Sequence, residues 1–306
     1  GEDTLSLHDA LPISVTGRIS GENHPFVEHF KFVKQFEDEN TVARQTMPSP
    51  AQTRFVLTGN AAAYPYDEFY KNDDELTADI VAAYRQVIAD LYAAGCRNVQ
   101  FDDCTWTRLC DASVRERLGW SDEDALRLQQ ENLDVINAVI ADQPDDLVIN
   151  THVCRGNFHS TWLSSGGYAP VAAKLFGEEN VDAYYLEFDD DRSGDFAPLA
   201  EVSGDKKVVL GLITSKKPDL EDPDTIKARI QEATQYIPLD RLCLAAMAEL
   251  PLLELPELDW YQGFHEIILY PDDFLSPQRH RDASGIEHEW DGEHSGEQDR
   301  CVGDAG

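Results

Sequence analysis

Positive charge is scarce in this 306-residue chain: 25 Lys and Arg stand against 58 Asp and Glu, for a formal net charge of −33. Nucleic acids and anionic membrane surfaces recruit proteins through a positive field, so neither is expected as a partner. Long apolar runs are also missing. None approaches the roughly 20 residues of a membrane-spanning helix, which gives the expectation of a soluble protein. Leu11-Pro12-Ile13 is too short for the apolar core of a signal peptide. The six cysteines (Cys96, Cys104, Cys110, Cys154, Cys243 and Cys301) contain no CxxC pair and no regular framework. Free thiols in a reducing cytoplasm are therefore expected. No GxGxxG follows an apolar run, which removes support for a dinucleotide-binding fold.

What is present is a chain that is 42% hydrophobic, enough for a substantial core. The acidic charge is spread along the whole length, as on a surface solvated at high salt, where the Debye length falls to about 3 Å at 1 M. Residues 1–14 lack a clear period and read as a non-native, artefactual leader. Residues 281–306 are polar, acidic and rich in Gly, His and Glu, and are expected to be a disordered tail. Between them, 15–244 reads as one domain and 245–280 as an atypical segment.

Within the domain, strands alternate with helices. Arg54-Phe55-Val56-Leu57, ending at Gly59, suits a short buried strand. Leu76, Ile80, Tyr84, Val87, Ile88 and Leu91 share one face of a helix over about 74–94, stopped by Gly95. Asn98 to Phe101 is a second strand. Ser121 and Asp124 form a capping pair for a helix over about 122–142, with Leu126, Leu133, Ile136 and Ile140 inside. Further strands are expected at Leu147–Thr151, Ala183–Phe188, Lys207–Ile213 and Leu242–Leu244. A helix over about 223–236 has Asp222 as its cap and Pro223 at its first position. Alternation of this kind predicts an α/β fold with a parallel sheet, either doubly wound or a barrel. Polar clusters recur at strand ends, where a barrel keeps its working residues: Asp102-Asp103, His152-Val153-Cys154 and Glu187-Phe188-Asp189.

His152 and Cys154 lie two apart at a strand end, so their side chains share a face. Imidazole and thiolate are both good zinc ligands, and Glu187, at the end of the next strand, could add a carboxylate. A core histidine beside a buried thiol has the same spacing. Asp103 suits a helix cap, Trp106 could line a pocket or pack, and Arg155 and Arg192 could hold a carboxylate or fix loops. Asp189-Asp190-Asp191 has the look of a solvated turn.

The stretch Asn150-Thr151-His152-Val153-Cys154-Arg155-Gly156-Asn157-Phe158 resembles the zinc-binding His-x-Cys segment of the cobalamin-independent methionine synthase family. Tyr185-Leu186-Glu187-Phe188-Asp189 resembles the family's next segment, and Gln100-Phe101-Asp102-Asp103 resembles its substrate-binding strand. The likeness spans about 15–244 and is greatest to the short paralogues. It implies a (β/α)8 TIM barrel, here without its N-terminal βα units. It further implies Zn2+ held by His152, Cys154 and Glu187, Asp102 as the catalytic-site residue that binds the substrate amine, and Arg155 and Trp106 beside the substrate. The implied reaction is methylation of the homocysteine thiol to form methionine. The donor would be methyltetrahydrofolate or a methyl-corrinoid protein. Another thiol, such as coenzyme M, and an inactive metal-binding fragment are the alternatives. The chain departs from the family in three places. No Gly-Ser segment for the substrate carboxylate precedes residue 50. Ser276-Pro277-Gln278 is followed by Arg279 where the family has a zinc-ligand cysteine. Thr214-Ser215-Lys216 stands where the long synthases have an Asp and a His.

Overall fold

A computed structural model of the chain describes residues 15–39, 41–59, 65–156, 162–214, 216–217 and 220–247, with short segments at 279–281 and 287–289. Six strands form one sheet: β1 (Gln45–Pro48), β2 (Asn98–Asp102), β3 (Val148–Val153), β4 (Ala183–Glu187), β5 (Lys207–Thr214) and β6 (Leu242–Met247). They are hydrogen-bonded in the order β1-β2-β3-β4-β5-β6, and every pairing is parallel. A doubly wound sheet reverses its order at a switch point, whereas a barrel adds strands in chain order. The unbroken sequence is that of a barrel, and β1 and β6 are the edges of the described part.

Helices fill the connections. α1 (Phe26–Lys34) precedes β1. α2 (Pro50–Gly59) and α3 (Asp73–Ala93) lead to β2, and α4 (Thr105–Cys110), α5 (Ala112–Leu118) and α6 (Asp122–Ile140) lead to β3. α7 (Ala172–Glu178) lies between β3 and β4, and α8 (Pro223–Ala233) between β5 and β6. Local chemistry sets their ends. Asn72 accepts from the Glu75 N–H at 3.0 Å, and Ser121 and Asp124 form the reciprocal box expected of them. The Asp222 side chain accepts from the first turn of α8. Gly95, at φ +96°, ends α3 in the left-handed region open to glycine. No helix among the described residues is long and apolar enough to cross a membrane.

Alternation along the strands sorts their side chains. Val99 and Phe101, Ile149 and Val153, Tyr184 and Leu186, and Val208 and Leu210 are buried in one hydrophobic cluster with helix residues such as Leu91, Leu133 and Ile136. Each fully buried side chain of this size contributes roughly 1.5–3 kcal/mol. The intervening residues, among them Asn98, Gln100, Asp102, Asn150 and Tyr185, face the other side and carry the polar chemistry.

Two expectations are corrected. Arg54-Phe55-Val56-Leu57 is helical, within α2, and the strand lies earlier, at Gln45–Pro48. An apolar run of four residues does not distinguish strand from helix, and Ser49 initiates α2 by accepting from the Gln52 N–H at 2.9 Å. Leu126, expected inside α6, is 61% exposed. The proposed leader, most of 245–280 and most of the tail lie outside the described residues. Across the boundary between that segment and the tail, β7 (Arg279–Arg281) pairs antiparallel with β8 (Glu287–Glu289).

Candidate active site

The carboxyl ends of β2, β3 and β4 bring the sequence-selected residues to adjacent positions. Asp102 on β2 is the register partner of His152 on β3, and His152 that of Tyr185 on β4. Val153 pairs with Leu186, so the next residues in each chain direction, Cys154 and Glu187, follow side by side. The Arg155 N–H donates to Glu187 Oε2 at 2.6 Å and fixes the carboxylate directly beside the Cys154 backbone. Below this row a polar ladder holds the sheet face. Arg44 donates to Asn98 Oδ1 at 3.0 Å and Gln100 Oε1 at 2.8 Å, and also to the Tyr185 hydroxyl. Gln100 in turn donates to Asp102 Oδ1 at 2.8 Å. The ladder thus orients the Asp102 carboxylate from behind.

Glu187 is fully buried. Its Oε1 meets Arg192, and Lys216 Nζ approaches it at 3.4 Å. Both cations also reach Asp189, Arg192 at 2.9 Å and Lys216 at 3.3 Å, and Thr214 donates to Asp189 Oδ2 at 2.7 Å. Burial acts to raise Asp189, but the Thr214 hydroxyl, Lys216 and Arg192 outweigh it and hold the group below the usual carboxylate range. The reading of Asp189 as part of a solvated turn is therefore corrected: its side chain is 1% exposed. Asp190 accepts from Arg192 N and caps the turn at 191–193.

Arg155 is buried as deeply as Glu187. Its guanidinium donates to the carbonyls of Glu187 at 3.2 Å, Gly166 at 2.6 Å and Ser193 at 3.4 Å, and lies over the Tyr168 ring at 4.1 Å. That is the geometry of a loop-fixing residue, the second of the two roles its sequence position allows. Trp106 is fully buried within the main core cluster, where it packs. Asp103 accepts from the Thr105 N–H at 2.8 Å at the start of α4, as expected of a cap.

Two residues that sequence reasoning passed over belong to the site. Lys216 is one; the sequence marks its segment only as the place where the long synthases have an Asp and a His, and its link to Glu187 spans 29 positions. Cys104 is the other, with its sulfur 3.8 Å from that of Cys154.

Residues 34–246 match the family described as "Cobalamin-independent synthase, Catalytic domain". The chain belongs to this family. The match thus runs from before β1 into β6. A second family, "Glucose-regulated metallo-peptidase M90", matches residues 228–302, most of them outside the described residues. The uncharacterized protein YxjH of Bacillus subtilis is 40% identical over 237 residues, which are 77% of this chain and 61% of that protein. The chain thus spans about three fifths of that relative's length. A putative vitamin-B12-independent methionine synthase from Listeria monocytogenes superposes with a TM-score of 0.62 at 34% identity, over 83% of this chain and 72% of that one. A B12-independent methionine synthase from Shewanella sp. W3-18-1, in complex with selenomethionine, gives 0.53 at 18% identity over 72% of this chain and 58% of that one; this likeness bears on the fold alone.

Membership raises the question of zinc. The donor types suit it, since an imidazole, a carboxylate and thiols stand at adjacent strand ends, but their arrangement does not gather them. The carboxylate is turned elsewhere, since both its oxygens are taken by the Arg155 N–H, Arg192 and Lys216. Among the described residues, no three or more His, Cys, Asp or Glu side chains are gathered closely enough to hold a metal ion.

Proposed function

We propose that this chain is a zinc-dependent S-methyltransferase that methylates the thiol of homocysteine, with methyltetrahydrofolate or a methyl-corrinoid protein as donor. The observation that carries this reading is the juxtaposition at the ends of β2, β3 and β4. Asp102 and His152 are register partners, and the N–H of Arg155, the residue after Cys154, donates to Glu187.

In this reading His152, Cys154 and Glu187 would hold the ion, with Glu187 first released from Arg192 and Lys216. Held there, zinc would supply its substrate thiol in deprotonated form, where a free thiol near pKa 8.5 stays mostly protonated at neutral pH. The chain's own groups do the rest. Asp102, oriented by Gln100, accepts from the substrate ammonium and places the sulfur toward the ends of β3 and β4. Arg155 ties the β3–α7 loop to Glu187 and Ser193, so the ligands keep their spacing. Burial of Cys154 and Glu187 excludes water that would otherwise solvate and blunt the attacking sulfur. In the net reaction a sulfur–methyl bond forms and the donor–methyl bond breaks; the thiol proton ends on the folate nitrogen that gives up the methyl group, or, with a corrinoid donor whose cobalt keeps the bonding electron pair, passes to solvent.

A second reading is favoured by one observation, the pairing of Glu187 with Arg192 and Lys216. It takes the chain as a metal-free, inactive relative. Zinc content of the purified chain, with methyl transfer to homocysteine and to coenzyme M compared, separates these readings. The first expects about one zinc per chain and turnover with homocysteine preferred. No zinc and no transfer to either thiol supports the second.

A further inference from the structure

We propose that Arg108 is an anion subsite at the mouth of the candidate active site, taking a carboxylate of the thiol substrate or of the methyl donor. The inference rests on the reading of the strand ends as a small-molecule site, and it needs no metal.

Arg108 stands apart from the rest of its helix. Thr105, Trp106, Thr107, Leu109 and Cys110 of α4 are all buried, whereas Arg108 is half-buried. Cys104 is the N-cap residue of α4, and its sulfur lies against that of Cys154. Arg108 follows one helical turn later, on the same face as Cys104. Its guanidinium lies over the Phe55 ring at 4.8 Å, and Trp120 meets that ring edge-on at 5.9 Å. Phe55 belongs to α2, whose Gln52 accepts from the Cys104 N–H at 2.9 Å. α2 and α4 are thus tied together where the chain leaves β1 and β2.

What Arg108 lacks is a partner. Among the described residues no carboxylate reaches ion-pair distance of it, and no acceptor takes its N–H groups. Burial works against its charge, and Cys104 and Asp103 act on it only at longer range. Asp103 is fully buried, with Oδ1 taken by Thr105. Other cations near the strand ends are committed: Arg44 to Asn98, Gln100 and Tyr185, Arg155 to backbone carbonyls, Arg192 and Lys216 to Glu187 and Asp189. A charge withdrawn from water is normally paired. In a chain of net charge −33, the overall field repels an anionic ligand, which needs a local cation not already neutralised. Arg108 supplies one. A guanidinium laid on an aromatic face keeps its edge donors open, and a carboxylate meets such an edge bidentately. Homocysteine and methyltetrahydrofolate both carry carboxylates.

Calorimetric titration of the full-length chain with methionine, its decarboxylated analogue and methyltetrahydrofolate tests this. Loss of a hydrogen bond to a charged group costs about 10–100-fold in affinity. If the carboxylate is the amino acid's, Arg108→Met should weaken methionine by that factor and leave the decarboxylated analogue unchanged. If it is the donor's, methyltetrahydrofolate should weaken and methionine should not. Arg108→Lys keeps the charge and should recover part of the loss. Arg117→Met, which removes an exposed arginine from α5, should change neither ligand. Because Arg108 pairs with nothing, Arg108→Met should keep or raise the urea midpoint, as a structural cation would not. Wild-type affinity for methionine and methyltetrahydrofolate in Arg108→Met, or equal weakening of methionine and its decarboxylated analogue, overturns the subsite. Asp102→Asn separates this outcome from the underlying reading: methionine binding lost there but intact in Arg108→Met, with methyltetrahydrofolate also intact, sinks the subsite alone. A wild type that binds none of the three ligands sinks both.

Discussion

Two glutamates in this chain are equally inaccessible and are treated in opposite ways. Glu187, at the end of β4, and Glu179, just after α7, are both fully buried. Glu187 meets Arg192, Lys216 and a backbone N–H, with Asp189 sharing the same cations. Glu179 has the Thr151 hydroxyl on Oε1, and no group within hydrogen-bonding reach of Oε2. Desolvation, with little to oppose it, pushes Glu179 up to about 8. Their strand neighbours explain the division. Thr151 and His152 are consecutive on β3 and face opposite sides of the sheet. The side that carries His152 gathers charge at the strand ends, and the side that carries Thr151 packs against helices. The lesson is that burial alone does not decide the charge of a carboxylate; the cations and hydrogen-bond donors that face it do.

That contrast can be broken from either side. The largest effect is expected at Glu187. Glu187→Gln removes a counter-charge from Arg192 and Lys216, whose side chains are 10% and 5% exposed. Disrupting a buried ion pair costs about 3–5 kcal/mol, and the lower end is expected here because Asp189 still meets both cations. Urea unfolding midpoints would show it; an unchanged midpoint would mean the cluster is energetically idle. Arg155→Met should come next. It leaves the carbonyls of Gly166 and Glu187 buried without their guanidinium donor, at a cost of about 2–3 kcal/mol by the same measurement. At Glu179 the effect is smaller and its pH dependence is the signature. Its carboxyl is raised from 4.5 in the unfolded chain to about 8 in the fold. The stability this lends is present below the unfolded value and is lost as pH rises through the folded one. Glu179→Gln should abolish that decline, so the variant gains on the wild type between those two values. A constant difference across that range would show that Glu179 carries no buried proton.

Much of the architecture was legible because it rests on local rules. The spacing of Leu76, Ile80, Val87, Ile88 and Leu91 marks α3, and the Ser121–Asp124 pair marks the start of α6. Apolar runs bounded by turns mark β2 to β6. β1 escaped because Gln45-Thr46-Met47-Pro48 is half polar and ends in proline; its place at the edge comes from pairing with β2, which no local pattern encodes. The site divides in the same way. His152 and Cys154 are two apart on one strand, so alternation puts them on one face. Cys104 and Lys216 join them only through register and loop geometry, across 50 positions to Cys154 in one case and 29 to Glu187 in the other. Asp189 was misjudged because a run of three aspartates resembles a solvated turn, and its partners lie outside that run.

Metal content of the purified full-length chain bears most directly on the whole account. Zinc measured by mass spectrometry after exhaustive dialysis should approach one ion per wild-type chain and fall to near zero in His152→Ala with the fold retained. A wild-type chain that emerges without zinc and cannot be loaded with it, or a His152→Ala chain that keeps its full complement, contradicts the account.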